Sequence, residues 1–276
     1  MNFILLFFIL FNSFVFASDF SDDDEKKIGY SYYTKEKIEN IELFIEKCTI
    51  YNFDTHTVLK WAGDFRHSED KYFQSLAKKI LWKILDTKDL DLEAYSKAYL
   101  SLAKITQKEG NPFEAIELLK KSDKLNPNYA ATQELLGQFY AHLSINCDWT
   151  DDAIKWNKKA IKTAKHSLKD IKANTFWPLP LEKEHEVYAK NLENKKVITR
   201  SYLGLGGIYS QKKNDTKSLK YYKKAGKKSS KMLEKYKNLH KKNGFKCNIP
   251  EIENLKEKSE KGIEKTLHFI EKKKKN

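Results

Sequence analysis

A chain of 276 residues with 40% apolar and 13% aromatic side chains, and only 10 Gly and 5 Pro, can bury a core and is neither disordered nor fibrous. Its formal charge of +14 is uneven: residues 195–276 hold 25 Lys/Arg against 8 Asp/Glu, while residues 1–194 hold 27 against 30. Three cysteines, Cys48, Cys147 and Cys247, stand far apart without a C-x-x-C, which excludes zinc and dithiol motifs. They read as small buried apolar groups, or as one bridged pair plus a thiol in an oxidising compartment.

The first 17 residues, MNFILLFFILFNSFVFA, are apolar apart from Asn2, Asn12 and Ser13, and the chain then turns acidic. The run is shorter than the roughly 20 residues of a spanning helix. Val15 and Ala17 supply the small residues of a cleavage site, so residues 1–17 are predicted to be a signal peptide, with an uncleaved anchor as the alternative. The mature chain is expected to be exported, either secreted or held in a periplasm or secretory lumen.

Beyond the leader the apolar period is helical. A helix is predicted from about Thr34 with Ile38, Ile41, Phe44, Ile45 and Cys48 on one side; Asp54 then caps one carrying Val58, Trp61, Ala62 and Phe65. Tyr72, Phe73, Leu76, Ile80, Leu81, Ile84 and Leu85 form the next stripe. Further helices are predicted at about 92–109, 113–125, 129–144, 151–169, 181–193, 197–212 and 216–243, the last closed by Asn243-Gly244. Pro250 opens a final amphipathic helix with Ile252, Leu255, Ile263, Leu267 and Ile270 on one side, ahead of a basic tail. The organisation expected is a helical region at 18–94, an array of hairpins at 95–248 interrupted at 170–196, and a terminal helix and tail at 249–276. The fold class is all-α.

An internal pattern recurs along the array. Tyr99, Leu102 and Ala103 are followed by Ala115, Leu119, Ser122 and Pro127; Leu136, Gly137 and Tyr140 by Ala153, Asn157 and Ala160; Tyr202, Leu205, Gly206 and Tyr209 by Ser218, Tyr222 and Ala225. Ala103 and Gly137 are 34 residues apart. The second copy carries four extra residues around Asn146–Trp149. Residues 61–84 hold a decayed copy, with Asp64 at the leucine position. This resembles the tetratricopeptide repeat, W-x2-L-G-x2-Y followed by A-x3-F, A and P at a period of 34. The resemblance implies a right-handed superhelix of stacked helical hairpins, with Ala103, Ala115, Gly137, Tyr140, Ala153, Ala160, Gly206, Tyr209 and Ala225 packing the repeats. On that register Gly206→Leu should destabilise far more than Gly204→Leu. The same residues exclude a phosphate loop: Gly204-x-Gly206 meets Tyr209 where a third glycine is needed, and no strand precedes it.

No catalytic constellation, metal set or cofactor motif appears. His185-Glu186 meets Ala189 where H-E-x-x-H needs its second histidine, and no G-x-S-x-G occurs. What the family resemblance implies instead is a concave groove lined by the first helix of each repeat. It would hold Lys97, Leu100, Lys104, Gln107 and Lys108, then Glu134, Gln138 and His142, then Arg200, Leu203, Ser210 and Gln211. Lys97, Lys104 and Lys108 suit an acidic segment or a C-terminal carboxylate, although Leu100 and Lys104 depart from the Lys/Asn clamp of chaperone-binding members. The expected function is a non-catalytic adaptor for a protein or peptide. The alternative is a small-ligand carrier, or an accessory component of a larger complex, with Phe176, Trp177 and Tyr188 roofing a pocket under the 170–196 insert. With an export leader, nucleic acid is set aside as a partner. The basic C-terminal third is left with acidic proteins, glycans or weak contact with an anionic membrane surface. Asn214-Asp215-Thr216 is an N-x-[ST] sequon in an expected turn, hence a candidate glycosylation site.

Overall fold

The computed structural model describes residues 55–68, 70–144, 148–175 and 179–275. The leader, the helix expected from Thr34, the cap Asp54 and the cysteines Cys48 and Cys147 lie outside them. The described residues form nine helices and no strand: α1 (Thr55–Arg66), α2 (Lys71–Asp86), α3 (Leu92–Lys108), α4 (Pro112–Leu125), α5 (Ala130–Leu143), α6 (Thr150–Asn174), α7 (Leu181–Gln211), α8 (Asp215–Asn243) and α9 (Ile249–Lys275). Each helix packs on the next, and α1 with α3, α5 with α7 and α7 with α9 also touch. The chain is thus a solenoid of stacked hairpins whose odd-numbered helices share one side.

Local chemistry sets the helix ends. Asp70 accepts from the Tyr72 amide and Asp91 from the Ala94 amide, capping α2 and α3. Pro112 opens α4, where its missing N–H costs nothing. Gly244, at φ 63°, closes α8 in the left-handed region and donates its amide to the His240 carbonyl.

Glycines locate the closest helix contacts. Asn157 of α6 is fully buried between Gly137 of α5 and Gly204 of α7. A Cβ at Gly137 would stand 2.5 Å from Asn157 Nδ2 and 3.0 Å from its backbone nitrogen; one at Gly204 would stand 2.9 Å from Oδ1. Tyr222 of α8 fills the equivalent place between Gly206 of α7 and Gly262 of α9, at 2.8 and 2.5 Å from the two added carbons. The inserted side chains occupy one position of the repeated pattern, four residues after Ala153 and Ser218. Gly204 is therefore a packing glycine like Gly206, and the large difference expected between their leucine variants does not hold. Gly207 is the roomy one, with the Tyr222 hydroxyl 3.7 Å away. Ala103, Ala115, Gly137, Tyr140, Ala153, Ala160, Gly206, Tyr209 and Ala225 are all buried.

Two elements differ from expectation. The helices expected at 181–193 and 197–212 are one helix, α7, so the second half of the insert is the first half of a repeat helix. Asn194 bridges the apparent break, donating to the Lys190 carbonyl at 3.0 Å and to Ser167 Oγ of α6 at 3.1 Å. In α9 the buried seam runs through Ile252, Leu255, Ser259, Gly262 and Thr266, whereas Leu267 is exposed. Small residues win there because α8 lies too close for leucine. Ser259 Oγ is 3.1 Å from the carbon that would be added at Gly226, and Ser218 and Thr266 bring their hydroxyls to 3.4 Å.

Candidate functional site

The odd-numbered helices bring a chain of charged residues together. Glu134 of α5, 2% exposed, is gripped by the Arg200 guanidinium of α7, with Nε to Oε1 at 2.7 Å and Nη2 to Oε2 at 3.0 Å. Arg200 also reaches Glu193 Oε1 at 2.8 Å and Glu251 Oε1 of α9 at 3.0 Å. Lys196, itself buried, donates to the other oxygen of Glu251. Gln138 donates its amide to Glu134 one turn away. Burial alone would lower the Arg200 value, but Glu134 and Glu193 beside it raise it, so the guanidinium stays charged. Burial pushes the Glu134 carboxyl up, and the Arg200 fork opposes that shift.

Toward α3 and α1 the sign changes. Burial first, then Arg66 and Arg200, bring the Lys104 ammonium down to about 8; Glu134 and Glu193 act the other way. Among the described residues no carboxylate closes an ion pair with Lys104. Lys108 donates to the Arg66 carbonyl at 3.0 Å, and Arg66 donates to His67 Nε2 at 2.8 Å, making that nitrogen an acceptor. Burial, followed by Arg66, Lys108 and Lys104, lowers the His67 value, so the ring is neutral at physiological pH. The result is a cationic end, Arg66–Lys104–Lys108, beside one whose charges are paired, Glu134–Arg200–Glu251–Lys196.

The other expected groove residues are spread along the same helices. Lys97 pairs with Glu93 at 2.6 Å, one turn back on α3. Leu100 is buried in the core, and Leu203 is half-buried between two apolar clusters. Gln107 and His142 are exposed. Gln211 accepts from Ser144 at 3.4 Å, and Ser210 is half-buried beside it. Arg66, Glu193, Lys196 and Glu251 belong to the site without having been legible in the sequence. Arg66 is merely the last residue of α1, while Glu193 and Glu251 fall outside the repeated pattern.

Of the residues suggested for a carrier pocket, Phe176 and Trp177 lie outside the described residues. Tyr188 donates its hydroxyl to Glu184 and packs edge-on against Phe245 at 5.7 Å, joining Leu192, Met232 and Tyr236 in the core between α7, α8 and α9. His185 Nε2 lies 3.2 Å from the Asn243 carbonyl at the end of α8. Cys247 is half-buried against the same apolar cluster.

A family model, tetratricopeptide repeat, matches residues 96–129 and 199–225, the first and third copies of the pattern. The second copy falls outside the match; its four extra residues put the second helix out of step, although Gly137 and Asn157 pack as their counterparts do. No curated protein matches the chain.

Proposed function

We propose that this chain, a tetratricopeptide-repeat protein, is a non-catalytic scaffold whose concave face holds an extended peptide, with an acidic side chain or terminal carboxylate of that peptide seated at Lys104. Repeats of this family serve as protein-interaction scaffolds, which supports the general reading. The observation that carries the specific one is the half-buried Lys104 ammonium left without a carboxylate, while Glu134 next to it is fully engaged by Arg200. An uncompensated, partly desolvated cation gains most from an incoming anion.

Calorimetric titration of the mature chain with a short peptide rich in Asp/Glu, against the Asn/Gln equivalent, tests this. Lys104→Glu should weaken the acidic peptide by at least about tenfold and leave helical content unchanged. The pH dependence has a definite sign. Burial, then Arg66, bring the Lys104 ammonium down to about 8, inside the interval from 7 to 9. Wild-type affinity should therefore fall across that interval as the amine loses its proton, whereas Lys104→Arg should bind with little change. A flat wild-type profile, or full affinity in Lys104→Glu, moves the site elsewhere.

The same reading includes export with removal of residues 1–17. Asn214 sits in the α7–α8 turn and caps α8 through Oδ1, which accepts from the Lys217 amide at 3.1 Å. A glycan on Nδ2 leaves that cap intact. Expression through a eukaryotic secretory pathway should give a chain starting at Ser18 with one glycan at Asn214, read by N-terminal sequencing and glycosidase treatment. An intact Met1 or an unmodified Asn214 in secreted product would overturn the corresponding half.

A further inference from the structure

The α7–α8 hairpin has a second charged surface, on the side away from Arg200. On α7, Tyr188, Lys195, Tyr202 and Tyr209 recur every seven residues, about two turns, so they form one stripe. Tyr202 and Tyr209 stand two and nine residues after Arg200, roughly 200° and 180° around the helix. Lysines lie over the faces of these rings. Lys217 stands 5.2 Å from the Tyr209 centroid, Lys224 5.6 Å from Tyr202 and 5.5 Å from Tyr221, and Lys235 5.7 Å from Tyr188. Tyr209 and Tyr221 stack at 5.5 Å and 4°. The rings act as a platform that holds the ammonium groups in place.

From there the positive charge spreads over α8. Apart from Lys237, its lysines cover roughly 140° of the circumference, and Lys217 to Lys235 span about 27 Å. A face that is merely solvated carries both signs, as α9 does with its Lys256–Glu260 and Lys261–Glu257 pairs. On α8 the acids are Asp215, which Lys273 holds, and Glu234. Among the described residues Lys237 is the one lysine of this helix with an acid at ion-pair distance, Glu253 at 2.7 Å. The crowding is felt at Lys195, brought down to about 8 by burial and then by Lys235 and Lys228.

We propose that the lysine face of α8 is a docking surface for an anionic lipid headgroup layer, along which the helix lies flat. The ligand must be anionic and broad, because the lysines spread sideways as well as along the axis. Tyr202 and Tyr209 are 7% and 8% exposed, so they offer no free faces on which nucleic-acid bases could stack. Among the described residues α8 exposes no large apolar side chain, so the contact is with headgroups and does not enter the acyl layer.

Sedimentation of the mature chain with phosphatidylcholine vesicles, with and without about one-third phosphatidylserine, tests the proposal. Binding is expected to the anionic vesicles alone and to fall steeply as salt is raised. Replacing Lys217, Lys224, Lys228 and Lys235 together by Glu should lower the partition coefficient about a hundredfold or more. The same four changed to Gln keep helix-forming side chains and should still lose most of the binding, which covers the case of a poorly folded Glu variant. Four reversals on other helices, at the exposed Lys124, Lys158, Lys162 and Lys165, should matter far less. Equal binding to neutral vesicles, undiminished binding by the Gln variant, or capture by RNA or an acidic peptide without any on vesicles would overturn it.

Discussion

Gly137→Leu is expected to lower the unfolding free energy by about 3 kcal/mol or more, whereas Gly207→Ala should raise it by about 0.5–1 kcal/mol. The two glycines lie inside helices with ordinary backbone angles, so conformational freedom explains neither. Gly207 has space beyond it, and alanine there gains the helix propensity that glycine lacks. Gly137 faces Asn157, whose backbone nitrogen lies 3.0 Å from any added carbon and retreats only if α5 and α6 part. The Asn157 side chain has little room to yield, being fully buried with Nδ2 bound to the Ala153 carbonyl at 2.8 Å. Among the described residues its Oδ1 has no hydrogen-bond partner, so truncation gives up only the Nδ2 bond to a carbonyl of its own helix. Asn157→Ala placed in a Gly137→Ala background should therefore recover part of the loss, with a coupling of about 1 kcal/mol. Urea unfolding followed by circular dichroism decides the matter: equal midpoints for Gly137→Ala and Gly207→Ala would remove Asn157 from the contact.

That the array exists was legible in the sequence because its repeated residues report one physical need, close approach of helices. Ala103, Gly137 and Gly206 recur where a side chain has no room, and large residues recur beside them. What periodicity missed has physical causes. Asn194-Lys195-Lys196 reads as a hydrophilic break, yet Asn194 bonds back along the helix and Lys196 is buried on Glu251, so α7 continues. The seam of α9 hides in Ser259, Gly262 and Thr266 because hydropathy counts leucine as buried and serine as exposed, whatever the distance to the neighbouring helix. The groove was half legible: its offsets identified Glu134 and Arg200 separately. That these two, 66 residues apart, would pair and leave Lys104 as the uncompensated charge depends on stacking three hairpins, which no local pattern encodes.

Arg200→Leu should be the costliest change in the charged chain, at about 3–5 kcal/mol near neutral pH. The cost comes from what is left behind. Glu134 would keep its buried place with only the Gln138 amide to bond, and Glu251 would keep Lys196. Burial already pushes the Glu134 carboxyl up, and without the guanidinium nothing comparable opposes it. Its folded value then lies above the unfolded one of about 4.3, so folding favours the protonated acid. The sign follows: the deficit is full at neutral pH, where the unfolded state ionises freely, and shrinks as the pH falls toward about 4, where both states hold the proton. Glu134→Leu combined with Arg200→Leu removes the stranded charge and should recover half or more of the loss, since a buried pair exchanged for apolar side chains is often close to neutral. Chemical unfolding of the wild type, the single and the double variant at neutral pH and near pH 4.5 reads both effects. A single variant as stable as the wild type, or a deficit that grows toward acid, would mean that Glu134 does not depend on Arg200 for its place between α5 and α7.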